Sequence, residues 1–247
     1  MKKGDARREE LLATAERLFC ARGYEGTSVQ DIIDEMGYSK GGFYHHFDSK
    51  LAVLEAICQS RAQESCERAK AAVLRAQTPV EQLNALLHGV PLWSDGDEGF
   101  VSLLIRVTMR DDGALMREKM KHSQLEELQP VLEDILAAGM AQGVFLASDA
   151  SAAAMLTLRL TAQFADEIAL LLSGQDGAQS EDVKRLPARM IACLTTYRAA
   201  VERFLLAPFG SVVLFEAQEL ELLAQAVLRG QEDGKQAAAD PTAKEDT

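Results

Sequence analysis

The stretch TSVQDIIDEMGYSKGGFYHHFDSK, Thr27 to Lys50, holds two short helical patterns on either side of one glycine. In the first half Val29, Ile32, Ile33 and Met36 recur at i, i+3, i+4 and i+7, a single apolar stripe. Thr27 or Ser28 can cap this helix, and Ser28 with Asp31 has the S-x-x-D spacing of a capping box. Gly37 ends it after barely two turns. Ser39 caps a third, short helix, and Ser49 caps a long fourth one after a break at Asp48. Two short helices joined by a glycine-bearing turn of about three residues are a helix-turn-helix candidate. Helices this short are marginal alone, so others must pack behind them. One precedes them: Leu11, Leu12, Ala15, Leu18 and Phe19 form a stripe that stops at Arg22-Gly23.

Within the third helix, Phe43 and Phe47 are four residues apart and mark its buried face. At about 100° per residue the opposite face carries Gly41, Gly42 and His45, with Tyr44 and His46 on the flanks and Lys40 at the start. Two helical glycines cost about 1 kcal/mol each relative to alanine. That loss makes sense where the helix must lie close against another surface, as in a DNA major groove. The Tyr44 hydroxyl suits a phosphate oxygen. Lys50, in the first turn of the fourth helix, can grip a phosphate together with the helix's first N–H groups. Thr27 and Ser28 can do the same at the second helix. His45, Lys40 and Gln30 can reach base edges, while Gly41 and Gly42 offer only backbone or thymine-methyl contact. So few reading side chains put part of the specificity on DNA shape. A packed corner with solvated histidines would show the same five rings. Adjacent histidines point about 100° apart, so no metal site is expected of them.

The wider composition bounds this interpretation. The chain has 247 residues, 47% of them hydrophobic, and carries a net charge of −12. Residues 1–50 hold 8 Lys/Arg against 9 Asp/Glu, and residues 51–247 hold 18 against 29. No basic domain exists, so DNA affinity must rest on a few well-placed groups. The acidic surplus would suit a cationic effector; a solvated surface explains it equally. No apolar run is long enough to span a membrane and no signal peptide is recognisable, which places the chain in the cytoplasm. Cys20, Cys58, Cys66 and Cys193 are scattered through apolar patterns and imply no disulfide framework. No G-x-S-x-G, H-E-x-x-H or phosphate loop is present, so neither an enzyme nor a cofactor or metal is expected.

Beyond residue 50 helices are expected near 50–76, 79–91, 98–110, 114–142, 149–173, 183–206 and 212–229. Pro79, Pro91 and Pro208 fall at boundaries. The division is a DNA-binding domain over 1–50, a helical domain over 51–230 and a disordered tail over 231–247, where large apolar residues are lacking. Met190, Leu194, Tyr197, Val201 and Phe204 or Leu205 recur near every 3.5 residues, the seam of a helix bundle. A dimer interface or an intramolecular core would give that stripe. Trp93, Phe100, Arg106, Met109, Gln163 and Phe164 are bulky or polar groups within apolar helices. They are candidates for an effector pocket, and core packing or a satisfied surface would account for each as well.

The run from Ala6 to Ala56, ARREELLATAERLFCARGYEGTSVQDIIDEMGYSKGGFYHHFDSKLAVLEA, resembles the N-terminal domain of TetR-family regulators. Those domains show an apolar helix ending in LF, then G-Y/F, T-S-V, D-I, a-G-v-S-K-G and Y-x-H/Y-F-x-S-K at this spacing. One departure is Leu51, where a glutamate commonly follows the lysine. LEDILAAGMAQGVFLASDASAAAMLTL, 132–158, is similar to the family's late core, with its G-x-x-x-G-x-F ending. The resemblance implies an all-α protein: a three-helix DNA-binding head on a helical-bundle domain for ligand binding and dimerisation. By position, Thr27, Ser28, Ser39, Lys40, Gly41, Gly42, Tyr44, His45, His46 and Lys50 correspond to the family's DNA-contact sites. It also implies pairing through the last two long helices.

The expected function is a ligand-responsive transcriptional repressor. A homodimer would bind a pseudo-palindromic operator in double-stranded DNA, with half-sites about 34–36 Å apart or a multiple of that. A small molecule among helices four to eight would release it, with the fourth helix as lever. The alternative is a helical adaptor without sequence-specific DNA binding. It leaves the glycine pair beside Tyr44, Lys40 and Lys50 unexplained.

Overall fold

A computed structural model describes residues 3–89, 98–109, 113–174, 180–225 and 227–228. All regular elements among them are helices: α1 (Lys3–Arg22), α2 (Val29–Met36), α3 (Lys40–Tyr44), α4 (Lys50–Val73), α5 (Pro79–Gly89), α6 (Glu98–Thr108), α7 (Ala114–Ala141), α8 (Ala150–Ser173) and α9 (Ser180–Leu205). A further helical stretch runs over 217–225. Trp93, Pro91 and the tail 231–247 lie outside the described residues.

The local signals act where the residues place them. Ser28, Ser39 and Ser49 are the N-caps of α2, α3 and α4, each accepting a backbone N–H in its hydroxyl. At α2 the capping box closes both ways: Ser28 Oγ accepts from Asp31 N, and Asp31 accepts from Ser28 N at 2.7 Å. Gly37 ends α2 at φ 62°, a conformation that a side chain would strain. Pro79 opens α5, where its missing N–H is not needed.

Two apolar cores follow. The first joins Leu11, Leu18 and Phe19 of α1, Ile32 and Ile33 of α2, Phe43, Phe47, and Val53, Leu54 and Ile57 of α4. It does not stop at residue 50, because the first two turns of α4 supply one wall. Phe100, Leu103, Leu104 and Val107 of α6 close it from the other side, with Met116 of α7. The second core gathers Cys66 and Ala69 of α4 with α5, α7, α8 and α9. Val101 and Ile105, on the other face of α6, belong to this second core. The helices α4, α6 and α7 therefore bear on both cores.

Three expectations are corrected here. Met190, Leu194, Val201 and Leu205 are buried within the chain, and Tyr197 packs on Phe164 at 5.7 Å, so the α9 seam faces α8 and the chain's own core. Phe204 alone of that set is exposed. The last helix starts at 217 rather than 212, and side chains from elsewhere in the chain bind the backbone of 211–213. Asn84 Oδ1 accepts from Val213 N at 2.9 Å and Asn84 Nδ2 donates to Ser211 O at 2.7 Å. Buried Glu202 accepts from Val212 N at 3.1 Å. Phe100 is a core residue of the head, with the Arg61 guanidinium 4.8 Å from its ring centroid.

The G-x-x-x-G-x-F run ends α7 by folding Phe145 back over Gly139. A Cβ at Gly139 would stand 2.3 Å from the Phe145 ring. The cysteines are all free thiols, and burial pushes Cys58 up to about 12 and Cys66 to about 11. Neither is a thiolate near neutral pH, so neither is primed for redox chemistry.

Candidate nucleic-acid interface and cavity

α2, the Gly37 turn and α3 present one continuous outer face. Ser28, Gln30, Ser39, Lys40, Gly41, Tyr44 and His45 are exposed on it, with Gly42 and His46 half-buried. Behind it, Phe43 is fully buried and Phe47 nearly so. Tyr44 stands edge-on to Phe43 at 5.3 Å and is 49% exposed, so its ring is braced while its hydroxyl stays accessible. The two histidine rings are 5.1 Å apart at an interplanar angle of 69°. Among the described residues no cluster of His, Cys, Asp or Glu could hold a metal ion.

The glycine pair has a specific geometry. A Cβ built at Gly41 meets nothing within 4 Å, and one at Gly42 meets Ser39 Oγ only at 3.4 Å. Neither glycine has a positive φ. The chain's own packing therefore requires neither, although both weaken the helix.

Two predicted contacts are otherwise engaged. Thr27 is fully buried, its hydroxyl donating to Gly23 O at 2.9 Å and lying 3.3 Å from Leu18 O. It pins the α1–α2 turn and presents no side chain to an outer partner. Lys50 Nζ donates to Tyr24 O at 2.8 Å and lies 4.1 Å from the centre of the Tyr24 ring. The ammonium thus fixes α4 against the α1–α2 turn before meeting any phosphate, though its side of the head remains partly exposed. Gln30 is exposed and donates to Asp34 at 2.7 Å, with its second N–H and its amide oxygen left for an outer partner.

On the far side of α6 lies a cavity of about 160 Å³. Its walls are apolar, among them Leu104, Ile105, Leu128, Leu158, Ile168 and Phe215. Its polar end is made by Arg117 and Lys121 of α7 and Asp166 of α8. Asp166 is hydrogen-bonded to Lys121, which also donates to Glu118 at 2.9 Å. Burial works against the Lys121 charge, but the hydrogen bonds to Asp166 and Glu118 outweigh it and raise its pKa. Of the six predicted pocket residues, Met109 lines this cavity. Arg106 is exposed, Gln163 is exposed and donates to Glu167 on the outer face of α8, and Phe164 is core against Tyr197 and Phe215. Leu104 and Met120 line the cavity and also pack in the head's core. A signal for the missed residues exists in α7, where Arg117, Lys121 and Gln124 recur at i, i+4 and i+7 beside the apolar Met120, Leu125 and Leu128.

Residues 11–57 match the family model of bacterial regulatory proteins of the tetR family. The HTH-type transcriptional regulator YerO of Bacillus subtilis is 43% identical over 53 residues, 22% of this chain and 18% of that protein. The HTH-type transcriptional repressor KstR2 of Mycolicibacterium smegmatis is 36% identical over 81 residues, 33% of this chain and 40% of that protein. The chain thus matches less than half the length of these curated relatives, which are transcriptional regulators. The crystal structure of a TetR-family transcriptional regulator from Pectobacterium atrosepticum shares the fold, with a TM-score of 0.55 at 21% identity over 83% of this chain and 97% of that one. The capped helix-turn-helix head, over residues 11–57, is thus similar to the tetR family of bacterial regulatory proteins.

Proposed function

We propose that this chain is a non-enzymatic transcriptional repressor of the cytoplasm that binds a pseudo-palindromic operator as a homodimer and leaves it when a small molecule enters the cavity. The observation that carries the DNA reading is the glycine pair: α3 forgoes helix propensity at Gly41, which the fold leaves open, and at half-buried Gly42, where a Cβ would make only ordinary contact with Ser39 and Tyr38. An external surface that must come close explains both. α3 lies against the major groove with Gly41 and Gly42 towards the bases. Tyr44 reaches a phosphate oxygen, and Lys40 and His45 read base edges. The N-termini of α2, α3 and α4, with Ser28, Ser39 and Ser49 as caps, face the backbone phosphates. Gln30 and His46 lie at the edge of this contact, and Lys50 adds charge from its place on Tyr24. Curated relatives such as KstR2 are named transcriptional repressors, which supports the direction of regulation.

With the α9 seam turned inwards, pairing falls to the outer faces of α8 and α9. Leu156, Gln163 and Leu170 recur there at seven-residue spacing, and both leucines are exposed. The switch works through α6 and α7, two of the three helices shared between the cores. A ligand that moves α6 by way of Leu104, or α7 by way of Met120, displaces groups against which the head is packed. No helix among the described residues is long and apolar enough to cross a membrane, in keeping with a cytoplasmic regulator.

The test is selection of random duplex DNA by the purified protein, repeated with Tyr44→Phe and Lys40→Ala. An enriched palindrome, bound less well by both variants, is the expected result. No enrichment even at low salt, where phosphate contacts are strongest, would overturn the proposal and favour a helical adaptor.

A further inference from the structure

The cavity's chemistry narrows the kind of molecule it takes, given its role as the effector site above. The chain as a whole is acidic, but this lining is not: Arg117 and Lys121 face the single carboxylate of Asp166. Glu118, the other partner of Lys121, is largely exposed outside the lining. Arg117 is the loosely held member of the group. Its Nη1 donates to Thr108 O, and its Nε stands 4.0 Å from Asp166 Oδ1, too far for a hydrogen bond. That Nε is buried and has no acceptor among the described residues. A buried charged donor without an acceptor is costly, and a ligand oxygen would relieve it.

The one carboxylate of the lining is already committed. Asp166 already holds Lys121 and lies beside Arg117. The hydroxyls of Thr108 and Thr161 donate to Leu104 O at 2.8 Å and Thr157 O at 3.0 Å, within their own helices, and keep only lone pairs for a ligand. Gln124 adds an amide, and the remaining wall is hydrocarbon, the Met109 and Met120 thioethers and the Phe215 ring. A cavity of about 150 Å³ holds a benzene ring, and this one is about 160 Å³.

We infer that the effector is a small apolar carboxylate, its acid group on Arg117 beside Lys121 and its body, of about one aromatic ring, between α6, α7 and α8. Its charge brings the group to two cations and two anions. Fork-shaped pairing between guanidinium and carboxylate fixes the acid end, and the hydrocarbon wall sets the size limit.

A matched series tests this by calorimetry on the full-length protein: phenylacetate, phenylacetamide and phenethylamine, which share a ring and differ in the head group. Phenylacetate is expected to bind at least about tenfold more tightly than the amide, the difference an ionic hydrogen bond makes, with the amine weakest. Arg117→Gln should bring the acid-to-amide ratio close to one, and Ala162→Phe, which fills the cavity, should abolish binding of all three. The wild-type ratio alone decides the matter should Arg117→Gln fail to fold. An amide bound as tightly as the acid, a preferred amine, or no binding of any probe at millimolar concentration overturns the inference. Operator binding separates it from the effector-site reading. Acid-selective binding that leaves DNA affinity unchanged keeps the ligand class and sinks the sensor. Altered DNA affinity in Ala162→Phe without phenylacetate binding does the reverse.

Discussion

Replacing Gly41 by alanine should make the protein more stable and worse at binding DNA. The backbone at Gly41 is ordinary helix, and the added methyl would meet nothing within 4 Å. In a helix interior the exchange is worth about 1 kcal/mol. Gly41 is the second residue of a five-residue helix, directly after the Ser39 cap and Lys40, so about half of that is realistic. At roughly 2–4 °C per kcal/mol for a chain of this size, the melting temperature should rise by about 1–2 °C. In the groove the same methyl falls where α3 approaches closest. An unaccommodated methyl typically costs about 1–3 kcal/mol, or roughly fivefold to over a hundredfold in affinity. Urea unfolding and fluorescence anisotropy with the selected operator, both at one fixed salt concentration, measure the two effects independently. Higher stability with unchanged operator affinity would refute the groove argument, since the glycines would then serve neither fold nor partner. Lower stability would show that the chain's own packing needs the glycine after all.

Thr27→Val should lower stability by about 1 kcal/mol through the lost hydroxyl bond to Gly23 O and leave operator affinity of the folded protein within about twofold; a selective loss of DNA binding would restore Thr27 as a contact. Gly139→Ala should cost about 1–3 kcal/mol by overpacking against the Phe145 ring; the loss in urea midpoint should shrink in a Phe145→Leu background, and no loss would mean that the α7–α8 corner yields freely. Hydrogen bonds from the Ser28 hydroxyl and backbone N–H hold the Asp31 carboxyl below its ordinary value. Its contribution is therefore complete above about pH 4 and fades as pH falls through the lowered folded value. Asp31→Asn should flatten that part of the acid limb in stability measured between about pH 5 and pH 2, and an unchanged limb would place the acid sensitivity elsewhere.

The head was legible because its signals are local. Ser28, Ser39 and Ser49 each satisfy a backbone donor three residues ahead, so the sequence spacing is already the geometry. The same holds for Phe43 and Phe47, one helical turn apart and both turned inwards. Thr27 and Lys50 mislead for the opposite reason. A hydroxyl or an ammonium at a helix start can serve a phosphate or the chain itself, and only the fold brings Gly23 O within reach of one and Tyr24 O within reach of the other.

The body shows where periodicity ends. A stripe such as Met190, Leu194, Val201 and Leu205 establishes that α9 has an apolar face, but not which surface covers it. Here α8 and the loop holding Val212 and Leu214 cover it from within the same chain. The non-helical segment over 211–213 is bound by Asn84, more than a hundred residues away in sequence, and no local pattern announces it. The cavity is non-local in the same sense, since Lys121 and Asp166 meet only because α7 and α8 lie side by side. What could have been read there is a conflict within one helix, where Arg117, Lys121 and Gln124 share a face with the residues that seal the core. A charged group placed on an apolar face must be paired in the fold or by a ligand. In this chain Asp166 pairs Lys121 and leaves Arg117 the weaker share. That remainder makes the cavity a more plausible seat for regulation than any of the bulky residues that first drew attention.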